Sequence, residues 1–277
     1  MTTLKIQGKK LILDGTATDV SDFLPDLSKD TYYEVVRLVE GKFLFLQDHL
    51  NRLKHSLSVS EIGYPGDRTI RHYLKILLKQ NEVTSGNIRI CIQKNADGKV
   101  RTSCYFISYF YPEPSMYSEG VKLLTFPHVR PNPGIKKWDG HFRESVMQFI
   151  RDQGIYEAVL LNRKKQVTEG SRSNIFFMDP RERLITAPER DVLPGITRKY
   201  VLEICNEEGI EVTERPVRLD ELQEMTCCFI SGTSPKILPV RQLDGFHFTV
   251  DHPLLSLLME QFEKVLQKNL EQPGFKS

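Results

Sequence analysis

The chain has little cysteine, no long apolar run and almost no excess charge. Five cysteines among 277 residues show neither metal-ligand spacing nor the paired framework of a secreted disulfide protein. No apolar run approaches the roughly 20 residues that a membrane helix needs, and Met1 is followed by polar residues rather than a signal segment. We therefore expect a protein of the reducing cytoplasm, without a metal or a membrane.

Charge of one sign is also lacking. Acidic and basic residues are interspersed and leave a net charge of +2, so no broad electrostatic field favours nucleic acid. The short basic run at residues 163–165 is most simply a solvated hairpin turn. The remaining classes are enzymes and binding proteins of small molecules.

The first part of the chain predicts a mixture of helices and strands. Strands at Tyr32–Val39 and Lys42–Leu46 flank Glu40-Gly41 and predict a β-hairpin. The leucines at 50, 53 and 57 predict a buried helical stripe directly after it. A second helix is predicted over Asp67–Gln80 with Asp67 as its N-cap, followed by a strand around Ile88–Ile92 and one over Lys99–Tyr111, joined by a turn at residues 95–98.

Proline marks the predicted boundary between two domains. Pro112-Glu113-Pro114 breaks the strand pattern, so we expect an N-terminal α+β domain over residues 1–114 and a second domain over 115–277. The predicted strands of the second domain are Val121–Phe126, Tyr156–Leu161, Asn174–Met178, Leu184–Thr186, Ile210–Pro216 and Cys227–Ser231. Its predicted helices are Gly140–Gln153, Ile196–Glu208, Leu219–Met225 and Pro253–Leu270.

Two segments of the second half carry the most chemistry. The run Glu169-Gly170-Ser171-Arg172-Ser173-Asn174 places a carboxylate before a small polar turn and an apolar strand. Downstream, Leu193-Pro194-Gly195-Ile196-Thr197-Arg198 begins a helix whose first backbone N–H groups can bind an anion. Together they indicate a phosphorylated cofactor with a basic ring, although Glu169 alone could be a turn-capping residue.

In this order and spacing, the two segments resemble the signature of the class IV aminotransferases, which are fold-type IV pyridoxal phosphate enzymes. Tyr33-Glu34-Val35-Val36-Arg37, His49-Leu50-Asn51-Arg52-Leu53 and Ser231-Gly232-Thr233-Ser234 match further landmarks of that family. The resemblance implies two mixed α/β domains with pyridoxal 5′-phosphate in the cleft between them. It also implies transfer of an amino group between an amino acid and a 2-oxo acid, by a homodimer.

The resemblance points to Lys136 as the lysine that forms a Schiff base with the cofactor, about twenty residues before Tyr156-Glu157-Ala158. Without it, Lys136 and Lys137 would be taken as solvated surface charges. In an extended segment neighbouring side chains point to opposite sides, so only one of the two can face the cofactor. Lys137 is then the outward partner, or a neighbour that lowers the pKa of the amine.

The other implied site residues fall into three groups. Glu169 would pair with the pyridine nitrogen, and Asn174 would hold its loop. The phosphate would be bound by Arg52, by Gly195, Ile196 and Thr197 at the helix start, and by the loop of Gly232, Thr233 and Ser234. Tyr33 and Arg37, on one face of the first strand, are expected to border the substrate.

The chain departs from the family at three points. Trp138-Asp139-Gly140 stands where relatives usually carry an Asn, the N-terminal segment at residues 22–27 is altered, and the Arg-x-His carboxylate trap of D-amino acid aminotransferases is missing near Lys99–Ser103. The last difference disfavours D-amino acids. Two alternatives stay open: a lyase acting on an aminodeoxychorismate-like substrate with the same cofactor, and a non-catalytic homologue that binds a phosphorylated ligand or a partner.

Overall fold

The computed structural model describes residues 6–23, 30–95 and 98–272, and these form two compact units. The first unit comprises residues 1–110, 135–140 and 266–277, and the second comprises residues 111–134 and 141–265. Both contain helices and sheet, so the α+β class is confirmed. The segment 135–140 belongs to the first unit, and the domain division at residue 114 stays a prediction.

The first unit is a six-stranded antiparallel sheet with two helices. Its strands are β1 (Ile6–Leu13), β2 (Thr16–Asp19), β3 (Thr31–Val39), β4 (Lys42–Phe43), β5 (Gly86–Lys94) and β6 (Val100–Ile107), and its helices are α1 (Leu46–Val59) and α2 (Asp67–Asn81). The spatial order is β2-β1-β6-β5-β3-β4. Strands β3 and β5 pair over eight residues, which makes them a rigid base for side chains on either face.

The helices of this unit cover one face of the sheet. Leu50, Leu53 and Leu57 of α1 are fully buried against Ile88 and Ile90, as their spacing predicted. The opposite face carries a smaller cluster around Tyr33 and Tyr105, which includes polar groups. The polar side chains of this unit therefore lie on the face that α1 and α2 do not cover, and along α1 itself.

The second unit is built around a ten-stranded sheet. Its strands are β7 (Val121–Phe126), β8 (Glu157–Leu161), β9 (Gln166–Gly170), β10 (Asn174–Met178), β11 (Leu184–Thr186), β12 (Val212–Glu214), β13 (Val217–Arg218), β14 (Cys227–Gly232), β15 (Lys236–Leu243) and β16 (Phe246–His247). Its helices are α3 (Pro114–Glu119), α4 (Gly140–Gln153), α5 (Ile196–Glu207) and most of α6 (Pro253–Glu271).

Six of these strands close into a ring. The order β10-β14-β15-β7-β8-β9 is completed by a pairing of β9 with β10, at the residue pair Glu169 and Asn174. A closed ring removes the exposed edges that an open sheet would leave. The ring also fixes Glu169 beside the start of β10. The segment of residues 169–174 therefore lies where the ring closes.

Several element boundaries differ from the sequence prediction. Asp67 is the first helical residue of α2, and Gly66 with a φ of 97° takes the cap position that we assigned to Asp67. Pro114 begins helix α3 inside the predicted linker, because a proline at the first helical position loses no hydrogen bond. The predicted helix at Leu219–Met225 is a short 3₁₀ helix, Leu219–Glu224.

The predicted turn at residues 95–98 and the altered segment at 22–27 lie partly outside the described residues. The hairpin turn predicted at residues 163–165 is confirmed, because these residues join β8 and β9 as an antiparallel pair. Within the described ranges, no helix is both long and apolar enough to cross a membrane. The five cysteines are free thiols, and all are buried.

Candidate active site

Lys136 lies on a short segment that pairs with the edge of β3. Tyr32 and Lys137 form an antiparallel bridge, and the Tyr33 N–H donates to the Lys136 carbonyl oxygen at 3.1 Å. The Lys136 N–H donates to Oγ of Ser56 on α1 at 3.2 Å. Hydrogen bonds thus fix both the carbonyl oxygen and the N–H of Lys136. A fixed backbone holds the side-chain amine in a reproducible position.

The two adjacent lysines point in opposite directions. Nζ of Lys136 lies 5.0 Å from the ring centroid of Tyr33. Nζ of Lys137 instead pairs with Asp30 at 3.1 Å and is exposed to solvent. The alternation expected for an extended segment is confirmed, and it turns only Lys136 towards the face that carries Tyr33.

Arg52 is held by a buried carboxylate that our sequence prediction did not include. Nε and Nη2 of Arg52 donate to the two oxygens of Glu34, at 2.8 and 2.7 Å. Nδ1 of His49 lies 2.8 Å from Oε2 of the same carboxylate, and Glu34 is fully buried. The pattern that could have revealed it is a charged residue inside the apolar strand Tyr32–Val39, opposite a His and an Arg three residues apart.

Electrostatics fix the charges of this cluster. Burial raises the pKa of Glu34, but the ion pair and hydrogen bonds with Arg52 and His49 outweigh it, so the net pKa lies far below the ordinary value. Burial lowers the pKa of His49, and Arg52 and Lys136 lower it further, against the opposing effect of Glu34. The cluster is therefore a carboxylate, a guanidinium and a neutral imidazole near neutral pH.

A second arginine, Arg89, lies on the other face of the same sheet. Its guanidinium carbon is 5.0 Å from the ring centroid of Trp138 and 5.5 Å from that of Tyr33. Nε and Nη1 are buried and have no hydrogen-bond partner among the described residues. Buried donors of this kind are costly unless a ligand satisfies them. Arg89 was missed from the sequence because it alternates with isoleucines and looks like an ordinary strand residue.

Arg37 occupies a neighbouring position on this face. Along β3, Tyr33, Val35 and Arg37 point to the same side, as predicted. Val35 is paired with Arg89 and Arg37 with Asn87, so the two arginines are diagonal neighbours. The face thus carries two cations beside the aromatic ring of Tyr33.

In the second unit, Glu169 is a buried and well-supported carboxylate. Nε of Arg130 donates to its Oε1 at 2.6 Å, and the Leu193 N–H donates to its Oε2 at 3.1 Å. Arg130 also stacks over Phe142, with its guanidinium carbon 5.5 Å from the ring centroid. Arg130 was not predicted; it lies in a proline-rich loop, where single-sequence patterns give no signal for a buried cation.

Helix α5 starts at Ile196, three residues after Leu193. The part of the chain that the structure describes shows no side-chain cap hydrogen bond at its N-cap residue, Gly195. A Cβ on Gly195 would lie 1.9 Å from Oδ1 of Asn174. Nδ2 of Asn174 in turn donates to the Leu193 carbonyl oxygen at 2.9 Å. Asn174 thus joins the start of β10 to the segment before α5, and its loop-holding role and the anion site at the helix N-terminus stay predictions.

The predicted loop of Gly232, Thr233 and Ser234 connects β14 to β15. It begins next to Ser231, which pairs with Asn174 across β10 and β14. The hydroxyl oxygens of Ser231 and Ser173 are buried and have no partner among the residues described. Glu169, the α5 N-terminus and this loop are therefore linked by direct strand pairing and hydrogen bonds within one unit.

Comparison with known proteins identifies the chain. Residues 31–243 match the family model described as Amino-transferase class IV. The chain belongs to the class IV aminotransferases. The match spans more than half of the chain and includes every site residue named above, from Tyr33 to Ser234.

Relatives of this aminotransferase carry names from two substrate groups. A protein of Methanocaldococcus jannaschii, named as a putative branched-chain-amino-acid aminotransferase, is 29% identical over 264 residues, which cover 85% of this chain and 88% of the relative. The D-alanine aminotransferase of Bacillus licheniformis is 26% identical over 258 residues, with 85% and 89% covered. The family is shared, but the names do not agree on the amino acid.

Solved structures show the same fold. The branched-chain amino acid aminotransferase of Escherichia coli superposes with a TM-score of 0.83 at 21% identity, covering 96% of this chain and 97% of that one. A protein of Mycobacterium tuberculosis described as a hypothetical aminotransferase, solved in a PLP-bound form, gives a TM-score of 0.78 at 17% identity, with 94% of this chain and 99% of that one covered. The class IV aminotransferase therefore has the fold-type IV architecture that the resemblance implied.

Proposed function

We propose that this class IV aminotransferase binds pyridoxal 5′-phosphate through Lys136 and Glu169 and moves amino groups between an amino acid and a 2-oxo acid. The observation that carries the proposal is the arrangement at β3, where backbone bonds hold Lys136 beside Tyr33 while Lys137 turns to Asp30. The residues present fit the cofactor, because they offer a reactive amine, a buried carboxylate and an uncapped helix start.

Each group has a defined task. When bound, the cofactor supplies an electron sink that stabilises negative charge at the substrate α-carbon. Nζ of Lys136 holds the cofactor and then moves the proton of the substrate α-carbon. Glu169, which accepts hydrogen bonds from Arg130 and from the Leu193 N–H, would accept a further one from the ring nitrogen of the cofactor.

The phosphate would be bound by three sets of groups. The N–H groups of Ile196 and Thr197, with the Thr197 hydroxyl, lie at a helix start that carries roughly half a positive charge. Arg52 adds a full positive charge whose position is set by Glu34. Gly232, Thr233 and Ser234 complete the proposed set, with the adjacent Ser231 hydroxyl as a further donor.

Arg89 supports a substrate that carries a carboxylate, as every amino acid and oxo acid does. Nε and Nη1 of Arg89 are buried donors without a partner among the described residues, and a carboxylate oxygen would satisfy such a donor with a charge-assisted hydrogen bond. Tyr33 and Arg37 lie on the same face and form the remainder of the proposed substrate wall. The absence of the Arg-x-His pair near Lys99–Ser103 still favours L-amino acids over D-amino acids.

The test uses the adjacent lysines as a matched pair. We expect purified wild-type protein and Lys137→Ala to show the absorption band of lysine-bound cofactor, and Lys136→Ala to lack it. Borohydride reduction followed by peptide mass spectrometry should place the cofactor on residue 136. Cofactor attached to residue 137 instead, or an unmodified peptide in a colourless protein, would refute the assignment.

Amino donors then separate the possible reactions. We expect L-amino acids, added without an acceptor, to convert the cofactor spectrum to that of its amine form, with an oxo acid released in equal amount. Release of pyruvate from an aminodeoxychorismate-like substrate without that conversion would indicate the lyase. Bound cofactor without any reaction would indicate the non-catalytic homologue.

We also propose that the enzyme is a homodimer of the cytoplasm. The family resemblance supports the dimer, and five free, buried thiols fit a reducing compartment. Light scattering coupled to size-exclusion chromatography should give twice the 32.0 kDa mass of the chain. A monomer at micromolar concentration would contradict the first part of this proposal.

A further inference from the structure

We propose that Trp138 determines how tightly this aminotransferase binds substrate carboxylates, because it holds the Arg89 guanidinium against Tyr33. The inference rests on the proposed function, in which Arg89 binds the substrate carboxylate. It adds a positioning residue at the place where the chain departs from its family, the Trp138-Asp139-Gly140 segment after the lysine.

Contacts around Arg89 define a three-membered aromatic and cationic cluster. The guanidinium carbon lies 5.0 Å from the ring centroid of Trp138 and 5.5 Å from that of Tyr33. The two rings meet edge to face, with centroids 5.7 Å apart and an interplanar angle of 76°. Both distances to the cation are within the range of cation–π attraction, so the guanidinium is held by two rings at once.

Two nitrogen atoms of Arg89 in this cluster have no hydrogen-bond partner among the described residues. Arg89 is 7% exposed, and its Nε and Nη1 atoms have no hydrogen-bond partner among residues 6–23, 30–95 and 98–272. Aromatic faces stabilise a guanidinium without using its N–H groups, which lie in its plane. The result is a desolvated and oriented guanidinium with unsatisfied donors on two of its nitrogen atoms, and a carboxylate is an anion that can accept a charge-assisted hydrogen bond from them.

The backbone holds Trp138 in this position. Its N–H donates to the Thr31 carbonyl oxygen at 2.7 Å, next to the bond between Tyr33 and Lys136. Trp138 and Lys136 therefore point to the same side of one short extended segment. The residue that orients the carboxylate-binding arginine and the residue that holds the cofactor are fixed by the same backbone pairing with β3.

A purely packing role for Trp138 predicts a different behaviour. Trp138 also belongs to the apolar cluster with Leu11, Tyr33 and Tyr105. If packing were its only role, its replacement would lower stability, and any effect on binding would be the same whether or not Arg89 is present. Under our proposal, the effect on carboxylate binding depends on Arg89 and on the π face of the ring.

The first experiment uses the fact that Trp138 is the chain's single tryptophan. Glutarate, a dicarboxylate without an amino group, is titrated into the holoenzyme at constant ionic strength while the tryptophan emission is recorded. We expect a saturable change in emission, because the carboxylate neutralises the cation beside the indole. Arg89→Met should abolish the change, and a wild-type protein without any change would overturn the proposal.

The second experiment is a double-mutant cycle. Calorimetry gives the dissociation constant for glutarate in wild type, Trp138→Phe and Trp138→Leu, each with Arg89 or with Arg89→Met. With Arg89 present, we expect Trp138→Leu to weaken binding about 3- to 30-fold and Trp138→Phe to weaken it less. With Arg89→Met, the changes at residue 138 should alter binding by less than about twofold.

Two results would overturn the proposal. One is an equal loss of glutarate affinity in Trp138→Phe and Trp138→Leu. The other is a loss of affinity for Trp138→Leu that is as large with Arg89→Met as with Arg89. If Trp138→Leu fails to fold, the Phe variant and the fluorescence titration still decide. The proposed function fails separately, through absence of cofactor on Lys136, and the emission of Trp138 can be measured in protein with or without cofactor.

Discussion

At the scale of single residues, the most consequential side chain is Glu34. The Glu34 carboxylate is fully buried. It accepts two hydrogen bonds from Arg52, and Nδ1 of His49 lies within hydrogen-bond distance of it. Its neighbours in the strand are apolar, so its carboxylate has no access to water and depends on these partners. Any change that removes one partner leaves the others as buried charges or donors without a match.

Glu34→Gln tests this dependence. We expect the variant to lose about 3 kcal/mol of unfolding free energy, because the Arg52 guanidinium becomes a buried charge without its counter-ion. Urea denaturation measures the loss. Glu40→Gln makes the same chemical change at the exposed end of the same hairpin and should cost less than about 0.5 kcal/mol. Equal losses in the two variants would contradict the role given to Glu34.

The pH dependence of stability follows from the same cluster. Folding lowers the pKa of His49 from its ordinary value of 6.5. At a pH below 6.5 the unfolded chain therefore binds a proton that the folded chain does not, and the free energy of unfolding decreases as the pH is lowered. Glu34, whose pKa is also lowered, adds a second loss below its ordinary value of 4.5.

We therefore expect the unfolding free energy of the wild type to fall between pH 7 and pH 5. His49→Asn, which keeps a donor for Glu34 but cannot titrate, should fall less over this range. The exposed His72→Asn should follow the wild type. Denaturant titrations at closely spaced pH values provide the measurement, and parallel curves for His49→Asn and wild type would exclude this assignment.

At the scale of elements, the start of α5 is set by the contact of a glycine with β10. The sequence placed the helix start correctly from Pro194 and Gly195, since these residues restrict the chain locally. The reason for glycine at position 195 is not local. Oδ1 of Asn174 occupies the space that a Cβ would need, and this neighbour comes from a strand more than twenty residues earlier.

Gly195→Ala should therefore displace Asn174 and the helix start together. We expect a loss of about 1–3 kcal/mol in stability from overpacking, and a weaker affinity for pyridoxal phosphate in equilibrium dialysis. Gly245→Ala, where a Cβ meets nothing within 4 Å, is the matched control and should change neither quantity. Unchanged cofactor affinity in Gly195→Ala would argue against the α5 N-terminus as the phosphate site.

At the scale of the whole molecule, the proposed cofactor residues come from distant parts of the sequence. Arg52 and Lys136 lie in the first half of the chain, and Glu169 and Thr197 lie in the second half. A ligand that binds only the folded protein stabilises it according to its concentration relative to its dissociation constant. Cofactor content should therefore change the stability of the whole chain.

Removing the cofactor provides the corresponding test. At a free concentration 100 times the dissociation constant, pyridoxal phosphate should add about 2.7 kcal/mol to the unfolding free energy, and dialysis against an amine scavenger should remove this gain. Pyridoxal, which lacks the phosphate, should restore less of it at the same concentration. Identical melting curves with and without pyridoxal phosphate would mean that the chain does not bind it in the folded state.

The sequence by itself determined the family and the α+β class and pointed to Lys136, because these inferences depend on local spacing and on residue types that the chemistry requires. Only the tertiary structure decided which buried groups support them. Glu34 with Arg52, Arg130 with Glu169 and Trp138 with Arg89 are pairs from segments 18 to 49 residues apart in sequence. The attraction between a charge and its distant partner becomes strong only when folding removes the water between them, and no local pattern of residues encodes that proximity.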